Sequence, residues 1–166
     1  MTTTSTAGGH GARHDRFVDE SRHDSYKQPG KLIEPTVCSG CNAVFHKGRW
    51  SWATPPVGAH EAVCPACHRV KDKYPKGTLT ITGTFAEQQS EQVMGVIKNA
   101  EAKENKEHPL ARIMSIDKRP EGLVVSTTDS HLPRQIGEAL NHAYHGELAL
   151  HYGEDKDLLR VTWSKS

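Results

Sequence analysis

Four cysteines are the residues of this chain with the clearest capacity for chemistry, and they fall into two Cys-x-x-Cys pairs. Cys38 and Cys41 form the first pair, Cys64 and Cys67 form the second, and the 166-residue sequence contains no others. Two residues between thiolates let one tight turn direct both sulfurs at a single ion, and two such turns complete a tetrahedron. Asn42 follows the first pair and tolerates the left-handed backbone conformation that this turn needs. The spacing therefore predicts one structural Zn²⁺ ion held by four thiolates.

Other uses of four cysteines match the sequence less well. Disulfide bonds need an oxidising compartment, and the polar N-terminal residues contain no recognisable secretory signal. A thioredoxin-like motif at Cys64–Cys67 should open a helix after a strand in a βαβ unit, and it leaves the first pair unexplained. An iron–sulfur site takes the same four thiolates as zinc. Redox and iron–sulfur sites are therefore kept as alternatives.

A catalytic role for the metal is not expected. Four thiolates close the coordination sphere and leave no position for a reactive water. His60 and Glu61 have the residue types of a zinc deaminase, but they are adjacent, whereas that motif separates them by one residue. No nucleotide fingerprint, nucleophile elbow or catalytic triad is recognisable. The sequence therefore predicts a protein that is not an enzyme and takes no small-molecule substrate.

Positive charge is concentrated around the cysteines, although the whole chain has a net charge of only +1. Residues 36–77 carry six basic side chains against two acidic ones, and residues 78–166 are net acidic. Trp50 and Trp52 lie in the basic segment, and aromatic residues interleaved with basic ones are typical of proteins that bind single-stranded or irregular RNA. A simpler role for either Trp is to cover the metal. The predicted RNA-binding residues are Lys47, Arg49, Trp50, Trp52, Arg69, Lys71 and Lys73.

The elements that must position these residues fall into three segments. Residues 1–30 lack helical or alternating periodicity, and residues 1–33 are predicted to form a flexible, disordered arm. Residues 34–77 are predicted to form a zinc ribbon with two zinc knuckles, and residues 78–166 a separate α+β domain. Because no apolar run approaches membrane-spanning length, we expect no membrane partner and a cytoplasmic location.

Residues 78–166 show strand and helix patterns in the order βαββαββ. The first strand is followed by a capping box at Thr84–Glu87, and its helix is predicted to run to about Lys106. The buried side of the second helix is predicted to consist of Leu132, Ile136, Leu140 and Ala143. This order resembles a split-βαβ sandwich, with both helices on one face of an antiparallel sheet. A phosphate-binding sheet edge is a further possibility, formed by Arg112, Lys118, Arg119, Arg134 and Arg160.

Several short motifs resemble those of a group of small bacterial zinc-ribbon proteins. They are Glu34–Cys41, Val44–Trp50, Cys64–Cys67, His108–Ile113 and Thr127–Leu132, and the resemblance spans roughly residues 12–164. The zinc region of that group is similar to the nonsense-mediated-decay-three protein, the export adaptor of the large ribosomal subunit. That protein has several Cys-x-x-Cys pairs and additional domains, whereas this chain has two such pairs. The resemblance implies the same four metal ligands and a ribosome-associated role.

Taken together, these patterns predict a zinc-binding protein that binds RNA, with the ribosome or a ribosomal protein as its partner. A salt-sensitive affinity is expected if several phosphates are neutralised. Two alternatives stay open. One is a protein–protein adaptor whose ribbon binds no nucleic acid, and the other is a redox- or zinc-responsive regulator.

Overall fold

A computed structural model describes residues 32–153 and 158–166 of the chain. These residues form two β-sheets and four α-helices, so the predicted α+β class is confirmed. The flexible arm predicted for residues 1–33 lies almost entirely outside the described residues. Within the described ranges, no helix is long and apolar enough to cross a membrane.

The first sheet is small and carries the cysteines at or near the ends of its strands. Its strands are β1 (Thr36–Cys38), β2 (Val44–His46), β3 (Arg49–Ser51) and β4 (His60–Ala62), in the spatial order β3-β2-β1-β4. Strand β1 is antiparallel to β2 and parallel to β4. Lys47 and Gly48 join β2 to β3 with φ angles of 52° and 77°, as a two-residue hairpin turn with two positive φ angles requires. Helix α1 (Pro65–Asp72) follows β4.

The second sheet has five strands. They are β5 (Gly77–Thr82), β6 (Ile113–Arg119), β7 (Gly122–Thr127), β8 (Glu147–Tyr152) and β9 (Leu159–Ser164), in the spatial order β6-β7-β5-β9-β8. The prediction of an antiparallel sheet is wrong at its centre, where β5 and β9 pair in parallel. The cause is the β8–β9 hairpin, because its second strand rather than its first lies beside β5.

Three helices accompany the second sheet: α2 (Thr84–Gln88), α3 (Ser90–Glu107) and α4 (His131–Tyr144). The single helix predicted to start at Thr84 is divided at Gln89, whose φ of −114° and ψ of 37° are not helical. Leu132, Ile136 and Leu140 are buried on α4 as predicted. Ala143 is exposed, so its predicted burial is wrong. In the last turn of α4 the core is covered by Tyr144 instead.

Buried side chains form two clusters of very different size. The larger cluster lies between the helices and the second sheet and includes Leu79, Ile81 and Trp163. The smaller cluster surrounds the cysteines and takes Leu110 from the loop between α3 and β6. A segment of the second half of the chain therefore helps to enclose the four cysteines.

Candidate metal centre

The first cysteine pair is held by the turn that follows β1. Asn42 has a φ of 65°, which confirms the left-handed conformation predicted for it. Its N–H donates to the Cys38 carbonyl at 2.9 Å, and the Cys38 N–H donates to the Ala43 carbonyl at 2.8 Å. The Gly40 N–H donates to Cys38 Sγ at 3.4 Å. These bonds hold the sulfur of Cys38 close to the sulfur of Cys67 in the second pair.

The second pair opens helix α1. Cys64 has an extended backbone, with φ −69° and ψ 159°, and its Sγ accepts a hydrogen bond from the Cys67 N–H at 3.4 Å. Pro65 occupies the first helical turn, where its missing N–H costs nothing. A helix that starts here after β4 partly matches a thioredoxin-like motif. However, β4 and β5 on either side of α1 belong to different sheets, so they do not form the βαβ unit of that motif.

The four sulfurs lie close enough together to bind one metal ion. Cys38 Sγ lies 3.7 Å from Cys67 Sγ, Cys41 Sγ lies 3.8 Å from Cys64 Sγ, and all four lie within 4.8 Å of one another. A tetrahedron with zinc–sulfur bonds of about 2.3 Å has edges of about 3.8 Å. These sulfur–sulfur distances are much longer than the ~2.05 Å of a disulfide bond, and the four cysteines are free thiols. No histidine or carboxylate of the described residues joins this group. The donor set therefore fits one tetrahedral metal ion.

The pKa values of the thiols are shifted in opposite directions within the cluster. Burial raises the pKa of the Cys38 thiol, but hydrogen bonds from the backbone N–H groups of Cys64, Cys41 and Gly40 outweigh it and lower the pKa to about 6. Burial raises the pKa of Cys41 and of Cys64. Four thiolates this close together repel one another. A bound divalent cation would offset this repulsion and would hold the sulfurs in their deprotonated form.

A guanidinium from the second half of the chain contacts three of the four sulfurs. Arg112 donates from Nη2 to Cys41 Sγ at 2.9 Å and to Cys64 Sγ at 3.4 Å, and from Nη1 to Cys67 Sγ at 3.2 Å. Burial alone lowers the pKa of Arg112, but the hydrogen bond to Cys67 and the charges of Cys41 and Cys64 outweigh it and raise the pKa. Because a metal with four thiolates carries a charge of about −2, this guanidinium offsets about half of it.

Several hydrogen bonds hold Arg112 in this position. Its Nε donates to the Pro109 carbonyl at 2.8 Å, and its backbone N–H donates to Thr128 Oγ1 at 2.9 Å. The side-chain amide of Asn105 donates to the Pro109 carbonyl at 3.4 Å and to the Ala111 carbonyl at 3.2 Å. The loop between α3 and β6 therefore presents the guanidinium to the sulfurs from a supported backbone.

Trp52 connects the first sheet to the same loop. Its Nε1 donates to the Asn105 carbonyl at 2.7 Å, and the guanidinium carbon of Arg112 lies 6.0 Å from its ring centroid. A cation at this distance is attracted to the face of an indole ring. Trp52 therefore contacts both the end of α3 and the residue that contacts the sulfurs.

The predicted RNA-binding residues have different surroundings. Lys47, Arg49, Lys71 and Lys73 are exposed, the first two at the β2–β3 turn and the last two at the end of α1. Arg69 is only 4% exposed and donates from Nη1 to the Tyr74 carbonyl at 3.2 Å, so its guanidinium lies inside the protein.

The two tryptophans of this segment also differ from each other. Trp50 packs against the cysteine cluster, with its ring centroid 5.4 Å from that of Phe45. Trp52 lies beyond the end of β3 and is 42% exposed. The simpler expectation, that one Trp covers the metal site, therefore fits Trp50, and Trp52 is the one with an accessible ring.

Sequence reasoning missed the contact of Arg112 with the sulfurs and placed this residue at a possible phosphate-binding edge. The available signal was the presence of the run His108–Ile113 among the motifs of the resemblance.

No protein-family model, curated protein or solved structure matches the chain. The resemblance to the zinc-ribbon group stays a prediction, and the case for a function rests on the site itself.

Proposed function

We propose that Cys38, Cys41, Cys64 and Cys67 hold one structural Zn²⁺ ion in a zinc ribbon, and that this ribbon binds RNA, with the ribosome as the partner. The observation that carries the metal part is that the four sulfurs lie within 4.8 Å of one another, with two of the distances close to the edge of a zinc–sulfur tetrahedron. Tetrahedral sets of four sulfurs select zinc or iron. Because four thiolates fill the coordination sphere, the proposed role of the ion is structural and not catalytic.

The support for RNA comes from the exposed side chains of the same module. Lys47 and Arg49 project from a short, well-defined hairpin turn, and Lys71 and Lys73 lie on the last turn and C-cap of α1. Side chains of this type neutralise phosphates without reading sequence. Trp52 adds an accessible aromatic ring on which a base can stack. Arg69 and Trp50 are left out of the proposed contact set because both are engaged inside the protein.

Salt dependence of RNA affinity tests this proposal most directly. For single-stranded RNA, the logarithm of the binding constant falls by about 0.7 per neutralised phosphate for each tenfold rise in salt. We expect a slope of roughly −3 if Lys47, Arg49, Lys71 and Lys73 each neutralise one phosphate. Fluorescence anisotropy with a mixed-sequence single-stranded RNA, and co-sedimentation with purified ribosomes, measure it. A flat salt dependence would contradict the proposal.

A matched pair of double variants localises the contact. Lys47→Glu with Arg49→Glu should lower RNA affinity and reduce the salt slope by about 1.4, since two phosphate contacts are lost. Lys98→Glu with Lys103→Glu makes the same charge change on exposed residues of α3 and should leave the slope unchanged. Equal losses in both variants would show that net charge alone drives binding. A partner that survives both RNase and the first double variant would favour the protein–protein adaptor.

A further inference from the structure

Arg112 is the point at which the second half of the chain touches the metal-ligand atoms. It belongs to the loop between α3 and β6, and its hydrogen bonds reach sulfurs from both cysteine pairs. Leu110 of the same loop packs in the cysteine cluster, and Trp52 of the first sheet donates to Asn105 at the end of α3. Two contacts therefore join the loop to the cysteine module, one of them made to the cysteine sulfurs themselves, and a third contact joins the end of α3 to the same module.

The charge of the site gives this contact an electrostatic role. Cys38 and Cys64 are fully buried and Cys41 and Cys67 are partly buried, so water can stabilise only part of the charge of about −2 on a metal with four thiolates. Arg112 supplies a positive charge and three N–H groups directed at sulfur. Its planar guanidinium can contact several acceptors at once, which the point charge of a lysine cannot do. Hydrogen bonds to metal ligands orient the ligands and tune the affinity for the ion.

We propose that Arg112 is a positioning residue of the metal centre and that metal binding and the docking of the α3–β6 loop stabilise each other. The proposal rests on the metal site of the proposed function but not on RNA binding. If the loop contact strengthens metal binding, then metal binding must strengthen the loop contact by the same factor, because such coupling is reciprocal. The ion then stabilises the contact between the cysteine module and the α3–β6 loop, in addition to stabilising the fold of the module.

Variants at Arg112 test the effect on the metal. Arg112→Met keeps the length and the apolar stem of the side chain but removes the charge and the donors. We expect its zinc affinity, measured by competition with a chromogenic chelator, to fall roughly 10–100-fold, the range typical for loss of a partner of a metal ligand. Arg112→Lys should recover part of the affinity. Arg160→Met is the matched control, because Arg160 is exposed on β9, and it should bind zinc like the unaltered protein.

Thiolate reactivity separates a direct effect on the sulfurs from a general loss of packing. A hydrogen-bonded, charge-compensated thiolate is a weaker nucleophile than a bare one, so iodoacetamide should alkylate zinc-loaded Arg112→Met faster than the unaltered protein or Arg160→Met. Trp52→Leu provides a second comparison, since it removes the indole beside Arg112 and leaves the sulfur contacts in place. It should alter alkylation much less than Arg112→Met does.

Hydrogen exchange tests the reciprocal effect. In the unaltered protein, zinc should slow exchange of the Arg112 and Ile113 amides, which donate to Thr128 Oγ1 and to Glu101 Oε2. In Arg112→Met, exchange at these amides should be faster and should respond much less to zinc. If Arg112→Met does not fold, Arg112→Lys takes its place with a smaller expected change in every measurement.

Two results would overturn the inference. One is a zinc affinity and alkylation rate in Arg112→Met equal to those of Arg160→Met, and the other is loop exchange in the unaltered protein that ignores zinc. Both leave the structural zinc site of the proposed function standing. A protein that binds no zinc in any of these variants would overturn the proposed function as well, so the two failures are distinguishable.

Discussion

At Asn42 a single backbone conformation sets the turn that carries the first two cysteines. Its φ of 65° is costly for most side chains and cheap for Asn and Gly. Its N–H closes the turn by donating to the Cys38 carbonyl. The position of two sulfurs therefore depends on one residue that contributes no ligand atom.

The left-handed conformation at position 42 predicts that Asn42→Gly is more stable than Asn42→Ala. We expect Asn42→Ala to lower the free energy of unfolding of the zinc-loaded protein by about 1 kcal/mol or more, and Asn42→Gly to be nearly neutral. Asn99 in α3 is the control, because an exposed helical position reverses the order and favours Ala over Gly. Chemical denaturation measures all four variants. Equal stability of the two Asn42 variants would contradict the role of the left-handed turn.

The clustering of the four cysteines was predictable because its signal is local, whereas the contact of Arg112 with their sulfurs was not. Two residues within each cysteine pair determine how far apart the sulfurs can lie, and this spacing can be read directly from the sequence. Arg112 is 45 residues from Cys67, and its contact depends on how the α3–β6 loop packs against the first sheet. The burial of Arg69 is likewise a tertiary property, since its place in a basic run predicts only its charge.

Close packing between α4 and the end of the second sheet leaves little space at Gly146. A Cβ atom at this position would lie 2.5 Å from the Ser164 carbonyl oxygen and 2.8 Å from the Trp163 ring. Asn141 Oδ1 accepts from both the Gly146 N–H at 3.0 Å and Trp163 Nε1 at 3.3 Å. The end of α4 is therefore fixed against a fully buried tryptophan.

Two glycine-to-alanine substitutions should have opposite effects on stability. Gly146→Ala should lower the free energy of unfolding by about 1–3 kcal/mol, because the added methyl group meets backbone and a buried ring. Gly95→Ala in α3 should raise it by up to about 1 kcal/mol, because nothing lies within 4 Å and alanine favours helix. Thermal and urea unfolding followed by circular dichroism measure both. Stabilisation by Gly146→Ala would contradict the packing described at this helix end.

Elements were predictable where periodicity is strong, and their pairing was not. Thr78–Gly83 alternates between apolar and polar residues, and β5 occupies 77–82 of the same segment. The parallel pairing of β5 with β9 joins residues about eighty positions apart, and no short pattern reports it. Strand β6 continues to Arg119, beyond the apolar residues that end at Ile116, because its hairpin with β7 pairs Asp117, Lys118 and Arg119 as well. Such extension depends on a partner strand rather than on residue type.

Over the whole molecule, the two clusters of buried residues differ in what can stabilise them. The larger cluster holds Leu79, Ile97, Ile136 and other large apolar side chains, which is enough for a packed core. The smaller one consists of cysteines and alanines with a few partly buried neighbours. So little apolar area cannot offset the entropy of ordering the first sheet, and small modules of this kind derive their folding free energy from a bound metal. We therefore expect the first sheet to depend on a bound metal ion for its stability.

X-ray absorption at the zinc edge, combined with the metal content of the purified protein, tests that dependence most directly. The account predicts one zinc per chain, surrounded by four sulfur atoms at about 2.3 Å and no nitrogen or oxygen ligand. Cys64→Ser should reduce the zinc content well below one per chain. Protein purified without stoichiometric metal, or a zinc ion with fewer than four sulfur neighbours, would contradict the account.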